Sequence, residues 1–133
     1  MKLSFPHGIT EKDVHAIRSS VQSECSRLAL APQSGFIVLF VIDELCCNLM
    51  EHSKAGWSEL HLDADSKGFK FTLKDDGIPF NTQVEVKAVA SKPLEEQDSD
   101  RNLGLSLIGR LVDRVNYQRT AEGLNQLELQ KAW

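Results

Sequence analysis

The stretch Phe36-Ile-Val-Leu-Phe-Val-Ile-Asp-Glu-Leu-Cys-Cys-Asn-Leu-Met50 limits what the chain can fold into more than any other. Apolar residues at 36 to 42, 45, 49 and 50 make it apolar nearly all round, which predicts a helix set in a core with little solvent on any side. Two polar side chains interrupt it. Glu44 and Asn48 are one helical turn apart and share a face. An amide taken out of water without a partner costs roughly 2 to 7 kcal/mol, depending on the reference state. Something polar must therefore face the pair, either a neighbouring segment that only hydrogen-bonds them or a ligand.

At 133 residues the chain reads as one domain, 1–133, large enough for a real core. A content of 41% hydrophobic and 26% charged residues is that of a soluble globular protein. The net charge of -4 argues against a nucleic-acid partner, which needs a basic surface to neutralise phosphates. No signal segment is evident in Met1-Lys-Leu-Ser-Phe-Pro-His7, and the apolar run from Phe36 to Ile42 is far short of the roughly 20 residues that span a bilayer. The expectation is a cytoplasmic protein without a membrane partner. Cys25, Cys46 and Cys47 are odd in number, and the adjacent pair points in different directions on a helix, so they read as small buried hydrophobes rather than a disulfide framework. With no CxxC pair and no HExxH sequence, His52, His61 and the cysteines make a poor zinc site.

The rest of the chain divides by periodicity. Leu3-Ser-Phe5 predicts a short strand ended by Pro6. Thr10 and Asp13 have the spacing of a capping box, and Val14, Ile17, Val21 and Leu28 continue it as a helix over about 11–29. Pro32 suits the first turn of the second helix, which runs to about Ser53 and ends at Lys54-Ala-Gly56. From Trp57 the period becomes two: Leu60, Leu62 and Ala64, then Phe69, Phe71 and Leu73, predict a hairpin with one buried face. It ends at Asp75-Asp-Gly-Ile-Pro-Phe80. Residues 82–101 lose periodicity and turn acidic, which reads as a long loop, either solvated or a lid. A helix is predicted from near Leu103, and a last hairpin has Val115 and Tyr117 on one strand and Leu127 and Leu129 on the other. This order implies an α+β two-layer sandwich with the helices on one face of a mixed sheet.

Three of these segments resemble, in order, the boxes of the GHKL ATPases, whose Bergerat-type fold is such a sandwich. Asp43-Glu-Leu-Cys-Cys-Asn-Leu-Met-Glu-His52 resembles the N-box, and its closing His is typical of bacterial anti-sigma factor serine/threonine kinases. Asp75-Asp-Gly-Ile-Pro-Phe80 resembles the first glycine box, DxGxPF, and Asn102-Leu-Gly-Leu-Ser-Leu-Ile108 the second, GxGL. Gly123-Leu-Asn-Gln-Leu127 is similar to the family's closing strand. The resemblance covers about 36–131, and the three boxes fall on the predicted helix, strand end and helix start, which makes the combination far more specific than any one of them.

Taken singly, each motif has a plainer reading. Asp75 to Gly77 is a common turn, Gly104 a helix-start spacer, Arg101 a solvated residue, and His52 a cation suited to a helix C-terminus. The resemblance implies more. Glu44 is then the general base, and Asn48 supplies its carboxamide oxygen to Mg2+, a hard cation that takes few protein oxygens and completes its shell from phosphates and water. Asp75 accepts the exocyclic amine of adenine, and Gly77 lets the backbone approach the flat base. Arg101, Asn102, Gly104 and Leu105 surround the phosphates, with Gly104 N–H at a helix N-terminus, and residues 82–101 form the ATP lid. Asn102 departs from the family pattern, which has glycine there. Asn tolerates left-handed backbone, so the loop can form with a side chain that crowds or caps the phosphates.

The function so implied is an ATP-dependent serine/threonine protein kinase that phosphorylates a small anti-anti-sigma (STAS-type) partner and in another state holds a sigma factor, the family often forming homodimers. Sensor histidine kinases share the boxes but add a phospho-accepting helix pair, for which this length leaves no room. A second class fits the same residues: a non-catalytic module that binds ATP, or only its partner, and sequesters a regulator. A third is a scaffold in which protein groups alone satisfy Glu44 and Asn48.

Overall fold

The structure is a computed structural model of the chain in which residues 1–90 and 100–133 are described, with the side chains of 89, 90 and 100–103 excepted. Its elements in order are β1 (Lys2–Phe5), α1 (Glu11–Arg27), α2 (Pro32–Asn48) with a closing π turn (Leu49–Ser53), β2 (Ser58–Asp65), β3 (Gly68–Asp75), α3 (Thr82–Ala90), α4 (Asp100–Leu111), β4 (Arg114–Arg119) and β5 (Asn125–Ala132). The strands form one sheet in the order β1-β2-β3-β5-β4. All four pairings are antiparallel, so the sheet is not the mixed one expected from the sequence. Two tight hairpins, β2–β3 and β4–β5, impose that direction on their own strands, and β1 on β2 and β3 on β5 pair antiparallel as well. The two-layer α+β sandwich is otherwise as predicted.

Strand alternation decides which face is covered. Leu60 and Leu62 of β2, Phe69, Phe71 and Leu73 of β3, and Leu127 and Leu129 of β5 are buried, while Glu59, His61, Lys70, Thr72, Lys74, Gln126 and Glu128 lie on the other face. Val14, Ile17 and Val21 of α1, Ile37 to Leu49 along α2, and Leu105 and Ile108 of α4 close the core over the apolar face. Thr10 caps α1 reciprocally: Asp13 N–H donates to Thr10 Oγ1, and Thr10 N–H to the Asp13 carboxylate.

Two expectations about helices fail. α2 is not surrounded on every side: Phe36 is 65% exposed and stacks on half-buried Phe40 at 6.2 Å between ring centroids. A two-layer fold has no third layer to cover that outer face. Together with its π turn the helix runs 22 residues, Pro32–Ser53, long and apolar enough to cross a membrane by length and composition. Here it is a core helix, tied to α1 by the Arg18–Asp43 ion pair at 2.6 Å. The second failure is the loop over 82–101. Its first part is α3, capped by Asn81, whose Oδ1 accepts from Val84 N–H at 3.1 Å, and fixed by buried Thr82 and Val86. β-Branched Val84 and Val86 masked a helix that tertiary burial stabilises. α4 begins at Asp100 rather than near Leu103. Residues 91–99, the middle of the expected lid, lie outside the described residues.

Phe71 is fully buried at the centre of the sheet. Phe71→Ala should lower unfolding free energy by about 3–5 kcal/mol in urea titration, a loss that combines transfer and cavity costs.

Candidate active site

At the end of the sheet where β3 meets the glycine-box turn, the apolar rows of the core face give way to one polar row. Ser58 pairs with Asp75, Asp75 with Asn125, and Asn125 with Arg119, so these four side chains line up across β2, β3, β5 and β4. Ser58, Asp75 and Asn125 are all buried. Asn125 is the hub. Its Nδ2 donates to Asp75 Oδ1 at 3.0 Å and to the carbonyls of Ile78 and Gly77 at 3.0 and 3.3 Å. Its Oδ1 accepts from Tyr117 Oη at 2.5 Å and Arg119 Nη1 at 3.0 Å.

Asp75 Oδ1 also accepts from Gly77 N–H at 2.9 Å, so both hydrogen bonds described for this carboxylate fall on one oxygen. Burial raises the Asp75 pKa above the ordinary aspartate range. The bonds from Asn125 and Gly77 pull it down, Asp76 pushes it up, and Arg119 opposes. Burial prevails. Among the described residues, the hydrogen bonds to this carboxylate engage one oxygen, Oδ1.

The turn after β3 is held from two sides. Asp76 Oδ1 accepts from Gly56 and Trp57 N–H at 2.8 and 2.9 Å, and Ile78 N–H donates to the Ser53 carbonyl at 2.8 Å. Ser53 sits in the π turn, where its Oγ donates to the Leu49 carbonyl at 2.6 Å. Widened turns of this kind occur often at functional sites, and this one brings Ser53 against Gly77. A Cβ at position 77 would collide with the Ser53 carbonyl oxygen and lie 2.9 Å from Asp75 Oδ1. Gly77 is required here by close approach, its φ not being in the left-handed region.

Between α2, its π turn, β3, α3 and the β4–β5 pair lies a small cleft of about 50 Å³. Asn48, His52, Asp75, Phe80, Thr82 and Asn125 are among its lining residues. It brings together Asn48 and Asp75, far apart in sequence. Asn48 Nδ2 is buried without a hydrogen-bond partner among the described residues. Rotating the amide plane exchanges its nitrogen and oxygen, and either can be turned to a ligand. His52 stands exposed at the rim with Nε2 3.5 Å from Glu51 Oε2.

The remaining sequence-derived residues lie elsewhere. Glu44 is half-buried and packs on α4, where a Cβ at position 104 would collide with its carboxylate. Gly104 is the fifth residue of α4, so its N–H falls within the intrahelical ladder and is not at a helix N-terminus as expected. Leu105 is 1% exposed and belongs to the core. Arg101 and Asn102 are in the first turn of α4, and their side chains lie outside the described residues. Sequence reasoning missed Asn125, Tyr117, Arg119 and Ser58. One signal was present for Asn125: it has the inward parity of Leu127 and Leu129, a polar residue in an apolar row.

The model of the histidine kinase-like ATPase domain family matches residues 9–131. No curated protein matches the chain. Among solved structures, the crystal structure of the SiaB-SiaC complex from Pseudomonas aeruginosa contains a chain of similar fold, with a TM-score of 0.60 and 13% identity over 98% of this chain and 89% of that one. At that identity the likeness is one of fold.

Two glycine substitutions separate close approach from free space. Gly77→Ala should cost about 1–3 kcal/mol, the range for forced overpacking. Gly35→Ala, whose Cβ would meet Cys25 Cβ at 3.8 Å, should be neutral or raise stability by up to about 1 kcal/mol. Thermal and urea denaturation of both variants beside wild type measures the contrast.

Proposed function

The chain belongs to the histidine kinase-like ATPase domain family, and from that premise we propose that it is an ATP- and Mg2+-dependent serine/threonine protein kinase acting on a small anti-anti-sigma (STAS-type) partner, in the manner of anti-sigma factor kinases. The observation that carries the nucleotide part is the Asp75 carboxylate, 5% exposed, with Oδ1 occupied and facing a cleft that also holds the unpartnered Asn48 amide. A buried carboxylate is stable in such a place when a donor completes it, and the exocyclic amine of adenine is such a donor. The comparison structure is itself a complex of two proteins, which favours a protein partner over a small substrate. Soluble cytoplasmic action and a sigma factor as second partner belong to the same reading.

Each residue then has a task. Asp75 orients the base, and Gly77 lets it lie against the turn. Asn48 offers Mg2+ one oxygen, and the ion, when bound, neutralises phosphate charge. Glu44 accepts the proton of the partner's hydroxyl as that oxygen attacks the γ-phosphorus and ADP leaves. Gly104 gives the Glu44 carboxylate its room, which is a reason for glycine there independent of phosphate contact. Arg101 and Asn102 lie at the α4 N-terminus, where free N–H groups favour an anion, and Leu105 anchors that helix in the core.

One observation favours the non-catalytic reading, a module that binds ATP and sequesters a regulator without phosphorylating it. The helical ladder of α4 extends through Gly104, which engages the backbone N–H that a phosphate loop would offer.

Two variants decide between these readings. Asn48→Ala should remove the magnesium-dependent part of ATP affinity in calorimetric titration and leave the apo thermal midpoint nearly unchanged. A large fall in apo stability with the magnesium effect intact would take Asn48 out of the site. Glu44→Gln should keep ATP affinity and slow phosphoryl transfer by roughly 100-fold to 10,000-fold. Radiolabelled transfer from ATP to candidate STAS-type proteins reads this, and wild type that binds ATP and retains a partner without phosphorylating it would favour the sequestering module.

A further inference from the structure

Gly77 and Gly104 are crowded by different kinds of atom. At Gly77 an added Cβ would meet backbone, the Ser53 carbonyl oxygen, which cannot move without moving the π turn. At Gly104 the three nearest atoms all belong to the Glu44 side chain: the added Cβ would collide with the carboxylate and lie 3.0 Å from Cγ. Neither helix can retreat. Leu105 and Ile108, 1% and 0% exposed, anchor α4 in the core, and Val41, Leu45 and Cys46 anchor α2. A side chain at 104 would therefore be accommodated by displacing the flexible end of Glu44. Helix geometry does not ask for glycine there, since Gly104 lacks the positive φ of Gly8 and Gly123 and only proline is a poorer helix former.

We propose that Gly104 is a positioning residue for phosphoryl transfer: its bare Cα is the seat of the Glu44 carboxylate, and it sets where the base stands rather than how ATP is held. This rests on the reading of Glu44 as the base. In that reaction the partner's hydroxyl oxygen bonds to the γ-phosphorus as the bond from that phosphorus to the β–γ bridging oxygen breaks, the hydroxyl proton passes to Glu44, and ADP leaves. Proton acceptance needs the carboxylate within hydrogen-bond reach of the hydroxyl, so a displacement of about 1 Å is enough to slow it. Affinity for ATP has no such dependence. Gly104 N–H is engaged within the α4 ladder, Asn48 and Asp75 line the cleft from α2 and β3, and a methyl at 104 touches none of these.

The seat also ties the base to α4. Glu44 projects from α2 one turn before Asn48, and its outer end rests on α4, so the base takes this position only while α4 is packed as a helix at Gly104. A glycine that served phosphate contact would behave differently. Its backbone would have to leave the helical ladder to offer its N–H, and an added methyl would oppose that change and weaken ATP binding. The two roles divide one substitution in opposite ways. Loss of the seat appears in turnover, whereas loss of a phosphate contact appears in affinity.

The test measures ATP affinity by calorimetry and radiolabelled transfer to a STAS-type partner on full-length wild type, Gly104→Ala, Glu44→Asp and the double variant. Gly109→Ala, also within α4, controls for stiffening of that helix. Gly104→Ala should keep the thermal midpoint and the ATP affinity, and lower kcat about 10-fold to 100-fold with KM for ATP unchanged. Gly109→Ala should leave kcat as it is. Glu44→Asp is slow in its own right, but its side chain is one methylene shorter and clears the added methyl, so Gly104→Ala should cost it less than about threefold. Weakened ATP binding with kcat intact would overturn the seat in favour of phosphate contact. Equal kcat losses with and without Glu44→Asp would leave Gly104 structural, and a Gly104→Ala protein that does not fold would overturn the premise that Glu44 gives way. A second readout is independent of transfer: the NMR resonance of the Glu44 carboxyl carbon in isotopically labelled protein, assigned by its loss in Glu44→Gln, should move in Gly104→Ala and stay in Gly109→Ala. If wild type phosphorylates no partner, the kinase reading falls and takes the catalytic role with it, while this resonance still decides whether Gly104 seats Glu44, an unmoved line overturning the seat.

Discussion

The hydrogen bond between the Asn125 amide and the Asp75 carboxylate joins β3 to β5 and, through its partners, the following turn and β4. It lies at 3.0 Å between adjacent central strands, on the covered face of the sheet, with both residues buried. A carboxylate in that position is disfavoured by desolvation and is retained only if donors meet it. Asn125 and the Gly77 N–H are those donors, and each draws in another segment. Gly77 fixes the turn, the turn fixes Ser53 and the end of α2, and Tyr117 and Arg119 bring in the edge strand β4. The cleft is the space left between these fastened pieces.

α2 serves the core and the cleft with different parts of its length. Val38, Val41, Ile42 and Cys46 are fully buried against sheet and neighbouring helices, and the desolvated Cys46 thiol has its pKa pushed far upward, as suits an inert core residue. One turn further on, Asn48 and His52 line the cleft and the helix widens into a π turn. The rigid part holds the polar part in place, and the widened turn sets Ser53 where only a glycine can oppose it. Rigid support of this kind is what a preorganised site needs.

Gly104 shows how one residue type admits two readings that sequence alone cannot separate. As part of a glycine box it suggests a backbone free to hold phosphate. In the structure it is helical and buried, and what its missing side chain admits is the Glu44 carboxylate. Glu44 is accordingly held by α2 from one side and by the surface of α4 from the other.

Much was legible from the sequence because it is local. Periods of 3.6 and 2 marked α1, α2 and the β2–β3 hairpin, Thr10 and Asp13 marked a cap, and the three boxes marked the family. α3 was not legible, since its valines are poor helix formers until Val86 is buried against its neighbours. The direction of the β1–β2 and β3–β5 pairings was undetermined because alternation reads the same either way along a chain. Nor could Asn125, Tyr117, Arg119 and Ser58 be assigned to Asp75, because they meet it only through strand register, which is fixed when the apolar faces of β2, β3, β4 and β5 are buried together. The sequence by itself determined α1, α2, the two hairpins and the family, because these rest on local periodicity and on motifs. Tertiary structure alone decided which of them share a row, which oxygen of Asp75 is engaged, and that Gly104 faces Glu44, because each of these depends on distances between segments that no local pattern encodes.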